Sequence, residues 1–168
     1  MADVKTAYRA SSNFTVTALE GLASDTAWDS GWTSATYDNS SNKDLDLLLS
    51  AKFTVESSGL TAGQIRVYVY VPLDDSNYPD LFSSGTEGSQ GAVTVHDTLT
   101  LDHAMYLVWT GFTDTTASQV YNMTQTSLLT RLGFCPQKFA VYVAHSTVAA
   151  FETTGQQVTV TGVYTTVT

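Results

Sequence analysis

Cysteine is almost missing from this chain. Cys135 is the only one, so no intrachain disulfide can form and a packed core has to hold the fold. It lies in Gly133-Phe134-Cys135-Pro136, an apolar setting without the basic neighbours that make a thiolate, and it reads as a small buried hydrophobe. Positive charge is scarce as well: 7 Lys and Arg stand against 16 Asp and Glu, a net charge of −9. Nucleic acid and anionic membrane surfaces are therefore not expected as partners, because both are bound by cations that replace counterions. No apolar run approaches the roughly 20 residues of a membrane span, and the N-terminus shows no apolar signal region. Synthesis in a cytosol is expected, with release by assembly into a particle freed on lysis.

What the chain has in quantity is alternation. In Gln64-Ile-Arg-Val-Tyr-Val-Tyr-Val-Pro72, Ile65, Val67, Val69 and Val71 share one face of an extended strand; Arg66, Tyr68 and Tyr70 share the other. A helix would scatter the valines around its circumference. From Asp44 to Val55, Leu45, Leu47, Leu49, Ala51, Phe53 and Val55 alternate with a more polar set. These two strands are expected to pair across the turn at 56–63. Further strands are predicted at Phe14–Ala18, Trp32–Tyr37, Ala92–His96, Met105–Phe112, Lys138–Ser146 and Val158–Val167, the last with a bulge at Gly162. Asp38-Asn39-Ser40-Ser41-Asn42 is a turn signal. Thr126 to Gly133 is the one helical signal, with Gly133 as its stop. The predicted fold is all-β: a two-sheet antiparallel β-sandwich with one short helix, first as a jelly roll and second as an immunoglobulin-like sandwich. Residues 13–168 form the single domain. Residues 1–12 are an N-terminal arm that orders on a neighbour. The predicted core includes Leu47, Leu49, Phe53, Val67, Val69, Val141 and Val143.

Chemistry is thinly signalled. His96-Asp97 and Asp102-His103 flank a tight connection and would suit zinc or iron, but at no zinc-site spacing. Asp74, Asp75 and Asp80 in the long 74–91 loop would suit calcium without its regular ligand pattern. No metal site, cofactor or catalytic residue is assigned. There is no nucleophile elbow and no phosphate-cradling glycine loop. His145 and Ser146, adjacent on a strand, point to opposite faces and make no dyad. Trp28, Trp32 and Tyr37 are the candidate sugar contacts of an alternative carbohydrate-binding reading, lectin-like and displayed on a particle. Trp32 and Tyr37 face opposite ways in one regular strand.

Charge-poor, hydroxyl-rich composition is common among extracellular and virion β-proteins. Tyr8-Arg9-Ala10-Ser11, Gly31-Trp32, the 38–42 turn, the Gln64 strand, Phe139-Ala-Val-Tyr-Val and the Val163-Tyr-Thr-Thr-Val-Thr ending together resemble small uncharacterised structural proteins of tailed bacteriophages. That resemblance implies a non-enzymatic virion component, a capsid decoration protein that binds the major capsid protein or another virion protein. It implies no catalytic residues. A homo-oligomer, a trimer on the capsid lattice, is expected. Lys5, Tyr8 and Arg9 of the arm and the tyrosine face at Tyr68 and Tyr70 are the candidate partner contacts. The competing reading is that both tyrosines cover part of their own subunit.

Overall fold

The computed structural model of the protein describes residues 3–57 and 61–167. In chain order its elements are β1 (Val4–Tyr8), β2 (Ser12–Asn13), β3 (Ser30–Thr33), β4 (Tyr37–Asp38), β5 (Asp46–Thr54), β6 (Gly63–Tyr70), β7 (Phe82–Ser84), β8 (Gly91–Val95), α1 (Thr98–Ala104), β9 (Tyr106–Thr113), β10 (Val120–Ser127), α2 (Leu128–Leu132), β11 (Lys138–His145) and β12 (Gln157–Val167). One sheet runs β1-β12-β5-β10, with β2 also on β12. The other runs β7-β8-β3-β11-β6-β9, with β4 also on β11. Every pairing is antiparallel.

Set β2, β4, β7 and β8 aside and eight strands pair in a nest. First meets last (β1–β12), then β3–β11, β5–β10 and β6–β9; the nested pairs join through β12–β5 and β11–β6. That is the jelly roll expected from the sequence. The nest also explains one expectation that fails. β5 and β6 are sequence neighbours but not a hairpin: β5 lies between β10 and β12, and β6 between β9 and β11. The connection after β5 changes sheet.

The main core lies between the sheets. β5 alternates half-buried and buried residues along its length, so Leu47, Leu49, Ala51 and Phe53 face inward. They meet Val67, Val69, Val141 and Val143, all fully buried as expected. Phe53 stacks between Trp109 at 6.0 Å and Phe151 at 5.5 Å between ring centroids. Fully burying a side chain of this size is worth about 1.5–3 kcal/mol relative to exposure.

A second apolar layer covers the outer face of the larger sheet. Tyr68, Tyr70, Ala140 and Tyr142 are buried there beneath Leu81, Phe82, Leu101 and Met105. The 73–105 segment, of which 74–91 reads from the sequence as one long loop, is thus a cover. It contains α1, which the sequence reading did not predict: Asp97 caps it by accepting the Thr100 N–H at 3.0 Å, and Leu101 is its buried residue. The predicted helix at 126–133 forms as α2 one residue later than expected. Ser127 is its cap, and Gly133 ends it at φ +81° with its N–H donating to Leu129 O.

Three further expectations are corrected. Phe14 to Ala18 is no strand; Phe14, Val16 and Ala18 pack on the core from a turn-rich segment. Gly162 carries no bulge: β12 pairs with β5 in continuous register through Gly162 and Leu47. Residues 4–8, expected in an arm that orders on a neighbour, form β1 against Tyr164 and its neighbours on β12, because those residues extend past the end of β5 and leave backbone groups to satisfy.

Candidate functional site

The anticipated partner contacts divide. Lys5 and Tyr8 are exposed on the β1–β12 ribbon, Tyr8 by 63%. Arg9 is used internally: Nε donates to Asp44 Oδ1 at 2.6 Å, Nη2 donates to Asn42 O at 3.1 Å, and its guanidinium lies 4.6 Å over the Tyr164 ring. The Asp44 side chain is fully buried. Tyr68 and Tyr70 do not form an exposed face; the competing reading holds. Tyr68 packs on Tyr142 with ring centroids 6.0 Å apart. The Tyr70 hydroxyl lies 2.6 Å from Thr33 Oγ1 and accepts the Gly88 N–H at 2.9 Å. Burial, against these hydrogen bonds, pushes the Tyr70 phenol up to about 12. The sequence showed the tyrosine stripe but not the cover that folds back over it.

The three anticipated sugar contacts are not brought together. Trp32 is fully buried in the core. Tyr37 packs edge-on to Phe14 and tilted against Phe139. Trp28 is half-buried with the Arg66 guanidinium 3.9 Å over its ring. Trp28 sits at φ +68°. The turn that carries it is held by Asp25, whose carboxylate accepts the N–H groups of Ala27, Asp29 and Ser30 at 2.8–3.1 Å. Burial works to raise the Asp25 carboxyl, and the hydrogen bonds outweigh it, leaving the group below its ordinary value.

The polar groups considered for chemistry have structural work. His96 Nε2 lies 3.1 Å from Asp80 Oδ1, both exposed, while Asp97 caps α1. Asp102 and His103 lie on α1 itself, in its last turns. In the 74–80 loop, Asp74 accepts the N–H groups of Ser76 and Asn77 and the Asn77 amide. Among the described residues, no three His, Cys, Asp or Glu side chains converge as a metal set. Burial, with Asp46 and Asp44 nearby, pushes the Cys135 thiol up to about 11, so it stays protonated near neutrality. His145 is buried and stacks 3.9 Å from Phe151; Nε2 is 3.0 Å from Leu22 O and Nδ1 is 2.9 Å from Thr147 Oγ1. Burial lowers it to about 4. The ring is then neutral at pH 7, and the Thr147 hydroxyl beside Nδ1 donates its one hydrogen to Ala149 O at 2.8 Å.

The surface feature that stands out is the edge strand β9. Among the described strands it pairs only with β6. Its sequence, Tyr-Leu-Val-Trp-Thr-Gly-Phe-Thr, carries no charge and no proline, the usual protections of a free edge. At its start Tyr106 is 41% and Leu107 50% exposed. The Tyr106 ring meets Phe134 edge-on at 6.0 Å. Leu73 and Leu129 are also exposed. Clefts of about 240 and 390 Å³ lie on either side of Val71 and Pro72, one lined by Phe134 and the other by Tyr106.

No family model, curated protein or solved structure matches the chain.

The β9 edge was missed as a contact because its period of two looks the same in an edge strand and in a central one. The available signal was the set Tyr106, Val108 and Thr110 opposite Met105, Leu107 and Trp109. Both sets are apolar-rich, and only the strand order shows which flank lacks a neighbour.

Proposed function

We propose that this protein is a non-enzymatic structural component of a bacteriophage particle, a decoration protein that binds the outer capsid surface as a homo-oligomer. The observation that carries the docking part is the uncharged free edge of β9 with Tyr106 and Leu107 exposed beside Phe134. An edge of this kind offers main-chain donors and acceptors to an added strand and apolar side chains to its contacts. In a chain of net charge −9, solubility is served elsewhere on the surface while this flank stays neutral. The non-enzymatic part is supported by the groups most able to do chemistry: the Cys135 thiol is held protonated, and His145 is neutral and enclosed, with Leu22 O and Thr147 Oγ1 against its ring nitrogens. The phage assignment rests on the sequence resemblance. The contact is placed on β9 rather than on Tyr68 and Tyr70, which are buried.

The test uses particles of a phage that carries this gene and particles from which the gene is deleted. Imaging of the first should show density for this domain on the outer capsid surface, and purified protein should rebind the second. Leu107→Lys, which places a charge on the edge without touching the core, should lower bound copies by about tenfold or more, the equivalent of 1.4 kcal/mol. Particles without the protein, or undiminished rebinding by Leu107→Lys, would overturn the assignment or the edge respectively. Solution mass across micromolar concentrations decides whether the oligomer forms before docking; a single-chain mass removes the preformed oligomer.

A further inference from the structure

The cover over the larger sheet's outer face reaches Tyr68, which is buried. Farther along β6, Gln64 and Arg66 are only half-buried. They line an open bay of about 410 Å³ with Trp28, Phe112 and Ser146. Phe112 is 75% exposed, the largest exposure of any aromatic ring among the described residues. Its position is set by the sheet: Phe112 on β9 is the register partner of Gln64 on β6.

The hydrogen-bond inventory of the bay is one-sided. Arg66 Nε and Nη2 both donate to Gln64 Oε1, at 3.1 and 3.0 Å. That fork settles which amide atom is the oxygen and leaves Gln64 Nε2 as a donor without an acceptor among the described residues. The guanidinium edge formed by Nη1 and the second Nη2 hydrogen is likewise open. Ser146 Oγ accepts the Gln64 N–H at 3.2 Å, so its own hydrogen remains to be given. Three donor groups therefore face a bay whose one side-chain amide oxygen is already occupied. Acceptors must come from water or from a ligand. The guanidinium is also fixed in advance, by the fork to Gln64 and by the Trp28 ring 3.9 Å below it. Trp28 is held in turn by the three N–H groups that Asp25 accepts. Ordering Arg66 has then been done by folding, and a ligand meets a preorganised cation.

We propose that this bay binds an acidic saccharide, with the sugar carboxylate on the open edge of Arg66 and the apolar ring face on Phe112. Hydroxyl oxygens of the sugar accept from Gln64 Nε2 and Ser146. A carboxylate presents two acceptor atoms in the geometry of the guanidinium edge, and a pyranose presents C–H groups to an aromatic face. The overall charge of −9 opposes an anion at long range. That field is screened beyond about 8 Å at physiological ionic strength, and inside the bay the guanidinium is the nearest charge. The proposal is independent of capsid docking, which uses the opposite end of β9.

The test is calorimetric titration of the full chain with trigalacturonic acid, triglucuronic acid and N-acetylneuraminic acid, each beside its methyl ester, and with acetate. At least one acid should bind, with its ester about tenfold weaker or worse, and acetate should not compete at equal concentration. Arg66→Gln and Phe112→Ser should each weaken binding by about tenfold, the scale of one charge-assisted hydrogen bond. Both residues are surface-accessible, and an unchanged circular dichroism spectrum checks the fold; the acid–ester comparison needs no variant. No heat from any of the three acids, equal binding of acid and ester, or equal displacement by acetate would each overturn the proposal, the last by reducing the bay to a general anion site.

Discussion

Replacing Gly162 by alanine reverses the usual sign of that substitution. Glycine inside a strand or helix normally costs about 0.5–1 kcal/mol relative to alanine, because it loses more backbone freedom on folding. Here a Cβ would fall well inside van der Waals contact with Asp44 Oδ2 and 2.5 Å from its Cγ. The carboxylate has nowhere to retreat. Its side chain is fully buried, Oδ1 holds Arg9 Nε at 2.6 Å, and Oδ2 has no hydrogen-bond partner among the described residues. Asp44 is pinned at its backbone too, by Asn39, whose Oδ1 accepts the Asp44 N–H at 3.0 Å and whose Nδ2 donates to Asp44 O at 3.1 Å. Overpacking alone costs about 1–3 kcal/mol. Breaking a buried ion pair costs about 3–5 kcal/mol, a figure to be discounted here because Arg9 is 35% exposed. A net loss of about 3 kcal/mol is expected, which for a domain of this size lowers Tm by roughly 6–12 °C. The assay is urea denaturation followed by tryptophan fluorescence, on Gly162→Ala, Asp44→Ser and the double variant. If the carboxylate is the obstacle, Gly162→Ala should cost less than about 1 kcal/mol in the Asp44→Ser background, a coupling that a double-mutant cycle reads directly. A neutral or stabilising Gly162→Ala in the parent chain, or the same cost in both backgrounds, refutes the reasoning.

Two other predictions test the core. Phe53→Ala should destabilise by about 3–5 kcal/mol in the same assay, since the ring is fully buried between Trp109 and Phe151; a loss under about 0.5 kcal/mol would place the ring outside the core. His145 makes stability depend on pH. Its folded value, about 4, lies below the ordinary 6.5, so between these values the unfolded chain binds the proton that the folded chain refuses. Its contribution is complete above about pH 6.5 and is lost as pH falls toward 4, by up to about 3 kcal/mol. Denaturation at pH 7.5 and 4.5 should show a steeper loss for the parent than for His145→Gln; parallel losses would remove His145 as the source.

Much of the architecture was legible residue by residue. The alternation of β5 and of β6, the turn at 38–42 and the helix stop at Gly133 are local signals, and each appears in the structure where the residues indicated it. The errors came from partners distant in sequence. Gly162 looked like the site of a bulge, since glycine in a strand has two meanings: a kink, or close approach of another group. Only the position of Asp44, 118 residues earlier, selects the second. Tyr68 and Tyr70 alternate with valines as an exposed strand face would, yet the 73–105 cover buries them.

The candidate sites divide in the same way. From the sequence alone come the all-β class, the inward-facing residues of β5, β6 and β11, and the unpaired cysteine, because side-chain period and composition are properties of the chain itself. Strand order is not such a property. The tertiary structure alone decides that β9 is a free edge and that Arg66, Gln64 and Phe112 share one bay. It also decides that Arg9 is a staple rather than a contact. The physical reason is that pairing and burial in a jelly roll join residues from tens to more than a hundred positions apart, and a local pattern is the same whichever neighbour it finally meets.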